Sequence, residues 1–102
     1  MPKICFTAHA RNDLRGIQSY LLNELFNPLA AQNLAEEIKR AFAALEDSPS
    51  AFPSCEDLQL RRKGYRKCSL GAYLFVYRFD ESSGQIMVLR FFHRSQNWMQ
   101  HL

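Results

Sequence analysis

Apolar positions change their spacing three times along the chain, and each change predicts a different element. Ile4, Cys5 and Phe6 are contiguous, which suits a short buried strand over Lys3 to Thr7. From about Ala8 the apolar residues fall three and four apart at Leu14, Ile17, Leu21, Leu22 and Leu25, which predicts a helix with Thr7 as its N-cap. Gly16 interrupts it, weakening the helix by up to ~1 kcal/mol relative to Ala unless a neighbouring element packs close there. Asn27-Pro28 then punctuates the chain: Asn caps, and Pro fits the first helical position because its missing N–H would have no partner there. A second helix follows, with Ala31, Leu34, Ala35, Ile38, Ala41, Phe42 and Leu45 on one stripe. So short a connection folds the two helices back as an antiparallel hairpin, with both stripes in the core.

Asp47 to Glu56 has two prolines, three serines and no period, and reads as a loop. Three strands come next, at Tyr65 to Leu70, Tyr73 to Asp80 and Gln85 to Phe92. Gly71-Ala72 suits a two-residue type II′ turn, and Ser82-Ser83-Gly84 reverses the chain again. Ser95 to Leu102 is left as a tail, with His101 in a mobile end. The expectation is an α+β fold in the order β-α-α-β-β-β, a single domain over residues 1–102, with the helix hairpin packed on an antiparallel sheet.

A turn at Gly71-Ala72 sets the register. Leu70 lies opposite Tyr73, Cys68 opposite Phe75 and Arg66 opposite Tyr77; extending it places Phe79 near Ile86, Val88 beside Tyr77 and Arg90 beside Phe75. Arg66, Arg90, Tyr73 and Tyr77 then share one face. The other carries Leu74, Val76, Met87, Leu89 and Phe91, and is expected to receive the helices. The arginine-bearing face is expected to be open.

Composition adds a polarity that net charge conceals. The overall formal charge is +3. Residues 61–102 hold eight Lys or Arg against Asp80 and Glu81, a surplus of six, whereas residues 1–60 hold five basic residues against eight acidic ones. A clustered basic face attracts polyanions. The run Arg61, Arg62, Lys63, Arg66, Lys67 can also be read as ordinary protection of a strand edge. Two arginines beside tyrosines on one face favour the first reading, since Arg suits phosphate and aromatic rings suit unpaired bases.

Other classes of function find little support. No stretch approaches the ~18 apolar residues of a membrane span, and the amino end has neither a long apolar signal region nor a cleavage site. Cys5, Cys55 and Cys68 form no C-x-x-C pair, so neither a disulfide framework nor a metal site is expected, and Cys5 and Cys68 read as small buried hydrophobes. A cytoplasmic protein without metal or cofactor is the expectation. His93 is the natural proton-transfer candidate, because its ordinary pKa lies near neutrality. Strict alternation puts it opposite to Arg90, so it reaches the same face only if the strand ends or bulges near Phe92. His9 reads as a helix-start residue.

These residues resemble the RelE/ParE superfamily of type II toxin–antitoxin toxins over nearly the whole chain. The matching stretches are Thr7-Ala8 with Asp13-Leu14, Asn27-Pro28 with Ala30-Ala31, Lys63-Gly64-Tyr65-Arg66-Lys67, Tyr73 to Arg78, and His93-Arg94 with Gln96-Asn97-Trp98. The resemblance implies a small toxin held inactive by a cognate antitoxin. RelE-like members are ribosome-dependent mRNA endoribonucleases, whereas ParE-like members poison DNA gyrase.

On the nuclease reading, Arg66, Arg90 and His93 are the catalytic candidates. A 2′-OH attacks the adjacent phosphate without a metal, the arginines stabilise the developing charge, and His93 moves the proton. Arg61, Arg62, Lys63, Lys67, Tyr73, Tyr77, Arg94 and Trp98 are the RNA-binding candidates. On the resemblance, Trp98 stands where many relatives carry an aromatic residue, often Tyr, and Trp cannot act as a general acid or base. The alternatives are a gyrase inhibitor without nuclease chemistry, or an inert member that binds only its antitoxin.

Overall fold

The computed structural model describes residues 2–102. Strand β1 (Lys3–Phe6) leads into helix α1 (Ala8–Ser19), a π-helical segment at Tyr20–Glu24, helix α2 (Pro28–Asp47), a short helix α3 (Leu58–Arg62), strands β2 (Tyr65–Leu70), β3 (Tyr73–Asp80) and β4 (Gln85–His93), and a 3-10 turn at Trp98–His101. The strand order is β1-β4-β3-β2. The meander β2-β3-β4 is antiparallel, and β1 joins β4 in parallel with Phe6 opposite Val88. The sheet is therefore mixed.

Both caps form where the sequence places them. The Thr7 side chain accepts from Ala10 N–H at 3.0 Å and the Asn27 side chain from Ala30 N–H at 3.0 Å. Along α2, Ala31, Leu34, Ile38, Ala41 and Leu45 are buried, while Ala35 is exposed. The stripe of the first helix ends earlier than its spacing predicts. The π-helical segment, closed by Leu25 N–H on Tyr20 C=O at 3.0 Å, changes the rotation per residue. Leu21 stays buried, but Leu22 and Leu25 turn out to solvent. Phe26 follows with φ of 49° and 80% exposure, a strained conformation for a bulky residue.

The faces of the sheet are used the other way round from the expectation. Phe75 and Tyr77 are fully buried against the helix hairpin, with Phe42 of α2 edge-on to Phe75 at 5.6 Å between ring centroids. Ala31 and Ala41 of α2 are buried in the same cluster as these rings. Leu74, Val76 and Phe92 on the opposite face are buried too, by Cys55 and Leu60 and by Trp98 and Leu102 of the tail. Neither face is open.

The hairpin registers agree with the turn-based expectation up to Val88, including Gly71 at φ of 65°. Between Val76 and Tyr77 the β3–β4 pairing shifts: Tyr77 faces Val88 but Val76 faces Arg90, leaving Leu89 as the extra residue of a bulge. Arg90 thereby moves from the expected place beside Phe75 to the aliphatic face, and Phe91 takes its place opposite Phe75. The tail also differs from the expectation, because Trp98 and His101 both pack on Phe92 at 6.1 Å between centroids.

Gly16 lies in α1 with nothing within 4 Å of the place a Cβ would occupy, so no element packs close against it. Gly16→Ala should raise stability by about 0.5–1 kcal/mol. Urea denaturation checks this through a higher midpoint at unchanged slope.

Candidate functional site

The bulge at Leu89 decides how the charged side chains are distributed. Arg66 pairs with Tyr77 and so lies on the helix-bearing face, whereas Arg90 pairs with Val76 and projects from the other. The sheet stands between the two arginines expected to share a phosphate.

Each arginine already has partners. Arg90 extends past the edge of β4, where β1 has ended, and meets Asp13 of α1 in a two-pronged contact: Nε to Oδ2 at 2.7 Å and Nη2 to Oδ1 at 3.1 Å. Asp13 Oδ2 also accepts Phe91 N–H at 3.1 Å, so one carboxylate caps an unpaired strand edge and neutralises a cation. The hydrogen bond that Arg90 donates to Asp13 raises the pKa of Arg90 further. The guanidinium lies 5.1 Å from the Phe92 ring centroid and reaches the His101 C=O at 3.5 Å, tying the tail to the sheet. Arg66 donates through Nη1 to the Phe52 C=O at 2.8 Å, in the loop that leads to α3.

Of the two tyrosines expected on an open face, Tyr77 is fully buried and cannot stack a base. Its hydroxyl donates to the Pro49 C=O at 3.0 Å and accepts from Phe52 N–H at 3.4 Å, pinning the loop on the sheet. Burial pushes its phenol above the ordinary pKa, so it is a neutral strut at physiological pH. Tyr73 is half-buried and stands edge-on to His93, with ring centroids 5.2 Å apart.

His93 is exposed at the end of β4. Its Nδ1 accepts from Ser95 N–H at 3.1 Å and lies 2.7 Å from Ser95 Oγ, while the His93 backbone N–H donates to Gln96 Oε1 at 2.8 Å. That network assigns the Nε2–H tautomer to the neutral ring. His93, Tyr73, Tyr20, Gly16, Asp13 and Arg90 surround a cleft of about 530 Å³ between α1 and the end of β4.

The other basic candidates are dispersed. Arg61 donates through Nε to the Cys55 C=O at 3.2 Å, Lys63 Nζ lies 5.8 Å from the Tyr65 ring centroid, and Arg94 donates to the Gly71 C=O at 3.2 Å. Lys67 Nζ lies 5.6 Å from the centroid of Trp98, which is itself half-covered against Phe92. Arg62 is exposed in the last turn of α3. Sequence reasoning missed Asp13 as the partner of Arg90; the only available signal was an acidic residue on α1, and nothing local connects it to β4. Among the described residues there is no His, Cys, Asp or Glu cluster able to hold a metal, and no helix is long and apolar enough to cross a membrane.

The profile of a toxin family, the ParE toxin of the type II toxin–antitoxin system parDE, matches residues 4–98. The chain belongs to that family. Two solved structures are similar to the toxin in fold. The chromosomal ParDE toxin–antitoxin system from P. aeruginosa matches at 20% identity and a TM-score of 0.69, covering 91% of this chain and 96% of that one. The toxin–antitoxin complex RelBE2 from Mycobacterium tuberculosis matches at 25% identity and a TM-score of 0.64, covering 92% of this chain and 100% of that one. No curated protein matches the sequence. The toxin thus has the RelE/ParE fold, and that scaffold carries more than one chemistry.

Asp13→Ala should destabilise the toxin by about 2–3 kcal/mol, because it strips Arg90 and Phe91 N–H of their acceptor at a partly buried site. Thermal and urea denaturation measure the loss. Arg90→Ala alone should cost less, since Asp13 would still cap Phe91.

Proposed function

We propose that this toxin acts by binding, as a ParE-like inhibitor of DNA gyrase in the cytoplasm, and is held inactive by a cognate antitoxin like those in the ParDE and RelBE2 complexes it is similar to. The observation that carries this reading is the separation of Arg66 and Arg90 to opposite faces of the sheet. In-line attack on a phosphate needs charge stabilisation and proton transfer within hydrogen-bond reach of one reacting centre. Here one arginine is neutralised by Asp13 and the other is tethered to a loop across the sheet. His93 has its Nδ1 engaged by Ser95. The family match over residues 4–98 favours the same branch.

A binding role also suits the tip of the helix hairpin. Leu22, Leu25, Phe26 and Leu29 are 45%, 51%, 80% and 65% exposed, an apolar group that a monomer gains nothing by displaying and that suits a protein partner. The strained φ of Phe26 holds its ring outward at a cost in stability.

The purified toxin should block supercoiling by gyrase and produce gyrase-dependent DNA cleavage, while mRNA on translating ribosomes stays intact. His93→Ala should retain growth arrest in cells. A ribosome-dependent nuclease predicts the reverse: codon-position mRNA ends, and a loss of about 10²–10⁴ in activity with His93→Ala. Mapping RNA ends beside a supercoiling assay on one preparation decides between them.

A further inference from the structure

Strand β2 is an edge of the sheet, and only part of that edge is covered. Cys55 N–H donates to the Tyr65 C=O at 3.0 Å and Lys67 N–H to the Pro53 C=O at 3.0 Å, so the loop before α3 runs beside the first residues of the strand. These contacts fix the direction of the other backbone groups, because every second residue of an antiparallel edge faces outward. Ser69 therefore faces outward as well. Among the described residues, neither Ser69 N–H nor Gly71 N–H finds an acceptor outside the sheet, nothing donates to the Lys67 C=O, and the Ser69 C=O receives only the weak Cys68 thiol at 3.8 Å. A bare edge is a template for another strand. Neither a proline nor a bulge interrupts this one, and the Lys67 side chain is turned onto Trp98.

The open groups complement one another about a two-fold axis through Ser69. Antiparallel pairing of two copies there sets Ser69 against Ser69 and Lys67 against Gly71, so no like charges face each other across the ladder. Ser69 N–H of each copy meets the Ser69 C=O of the other, and Gly71 N–H meets the Lys67 C=O. The two groups left over in that register are Lys67 N–H and the Gly71 C=O. Both are already satisfied within the chain, by the Pro53 C=O and by Arg94 Nη1 at 3.2 Å. The groups that can pair between copies are thus the ones left open.

Charge follows the same symmetry. A groove of about 380 Å³ lies between α2 and this edge, with Glu37 and Arg40 on its helical wall and Cys68 and Ser69 on the other. Ala30, Asn33 and Glu37 share a smaller cleft with Gly71 and Ala72, whereas Arg40 and Ala41 lie in the groove with Cys68, so α2 runs antiparallel to β2. The axis at Ser69 consequently brings Glu37 of each copy towards Arg40 of the other. Among the described residues the one ion pair within 4.0 Å is Arg90 with Asp13, which leaves both of these charges open. We propose that the outer edge of β2 is a homodimer interface, at which two copies of the toxin pair antiparallel about Ser69 and exchange Glu37–Arg40 contacts. Such an interface is isologous and closes at two copies. The inference does not rest on gyrase inhibition, since none of these groups belongs to the hairpin tip or to the cleft at His93.

Sedimentation equilibrium on the full chain should show a monomer–dimer equilibrium and no larger species. Hydrogen exchange should show the Ser69 and Gly71 amides gaining protection as the dimer forms, with the Lys67 amide protected throughout. Ser69→Pro removes an outward N–H that the monomer does not use and should weaken dimerisation by about tenfold or more. Glu37→Arg and Arg40→Glu should each weaken it by about tenfold. The double variant Glu37→Arg/Arg40→Glu should restore it, which changes acting only through monomer stability would not do.

A chain that stays monomeric at every concentration overturns the proposal and leaves the edge to a strand of a different protein. So does a dimer that Ser69→Pro leaves intact and Phe26→Ser dissolves, because the hairpin tip would then be the contact. Single reversals that cost dimerisation without rescue in the double variant overturn the register about Ser69. Should Ser69→Pro disturb the strand, the charge reversals carry the comparison in protein shown by circular dichroism to be folded. Dimerisation is measured without gyrase, so its absence leaves the gyrase reading standing, and a toxin without effect on gyrase can still pair in this way.

Discussion

Strand β3 is buried on both faces, and most of the molecule is arranged to cover it. Leu74, Phe75, Val76 and Tyr77 are each 3% exposed or less, so the centre of the sheet cannot leave one side to water as many antiparallel sheets do. Each such side chain contributes about 1.5–3 kcal/mol when removed from water, which makes two covers necessary. The hairpin of α1 and α2 supplies one. The other is assembled from smaller pieces: Cys55 and Leu60 on one side and the tail residues Trp98 and Leu102 on the other. A segment that would be a loose end in another protein is here part of a core.

The second cover also fixes the electrostatics. The tail stays in place partly because Arg90 bridges its His101 carbonyl to Asp13, and Arg90 can do so only because the bulge at Leu89 turns it onto the aliphatic face. The same bulge aims Phe91 into the aromatic core. One inserted residue thus completes both layers, and it separates the two strand arginines in doing so. The basic surplus of the C-terminal half is consequently divided. Part is neutralised within the fold, part lies along aromatic rings, and Arg61 and Arg66 donate to backbone carbonyls of the loop before β2.

What could be read from the chain follows from how local each determinant is. The caps at Thr7 and Asn27, the stripe of α2, the turn at Gly71-Ala72 and the register as far as Val88 all depend on neighbours a few residues away, and they are legible. The identity of the helix-bearing face is not. Alternation assigns a face only when one side is polar, and β3 is apolar on both, so the pattern is silent and the decision passes to tertiary packing such as that of Phe42 on Phe75. The bulge leaves no mark in the sequence, because Leu89 is an ordinary strand residue. Helix α3 is five residues long, too short for a period, although Asp57 does cap it through Leu60 N–H at 3.1 Å. The Asp13–Arg90 contact spans 77 residues.

That hidden contact bears on how a scaffold of this kind can change activity. A nuclease centre requires several side chains to converge within hydrogen-bond reach of one phosphate, and a register shift of one residue is enough to send an arginine to the wrong side of the sheet. A binding toxin has no such requirement, since its surface elements contribute separately and tolerate displacement by a layer. The apolar hairpin tip, the cleft beside His93 and the cleft lined by Arg61 and Arg66 lie on different parts of this molecule and share no side chain, so each can be altered without disturbing the others.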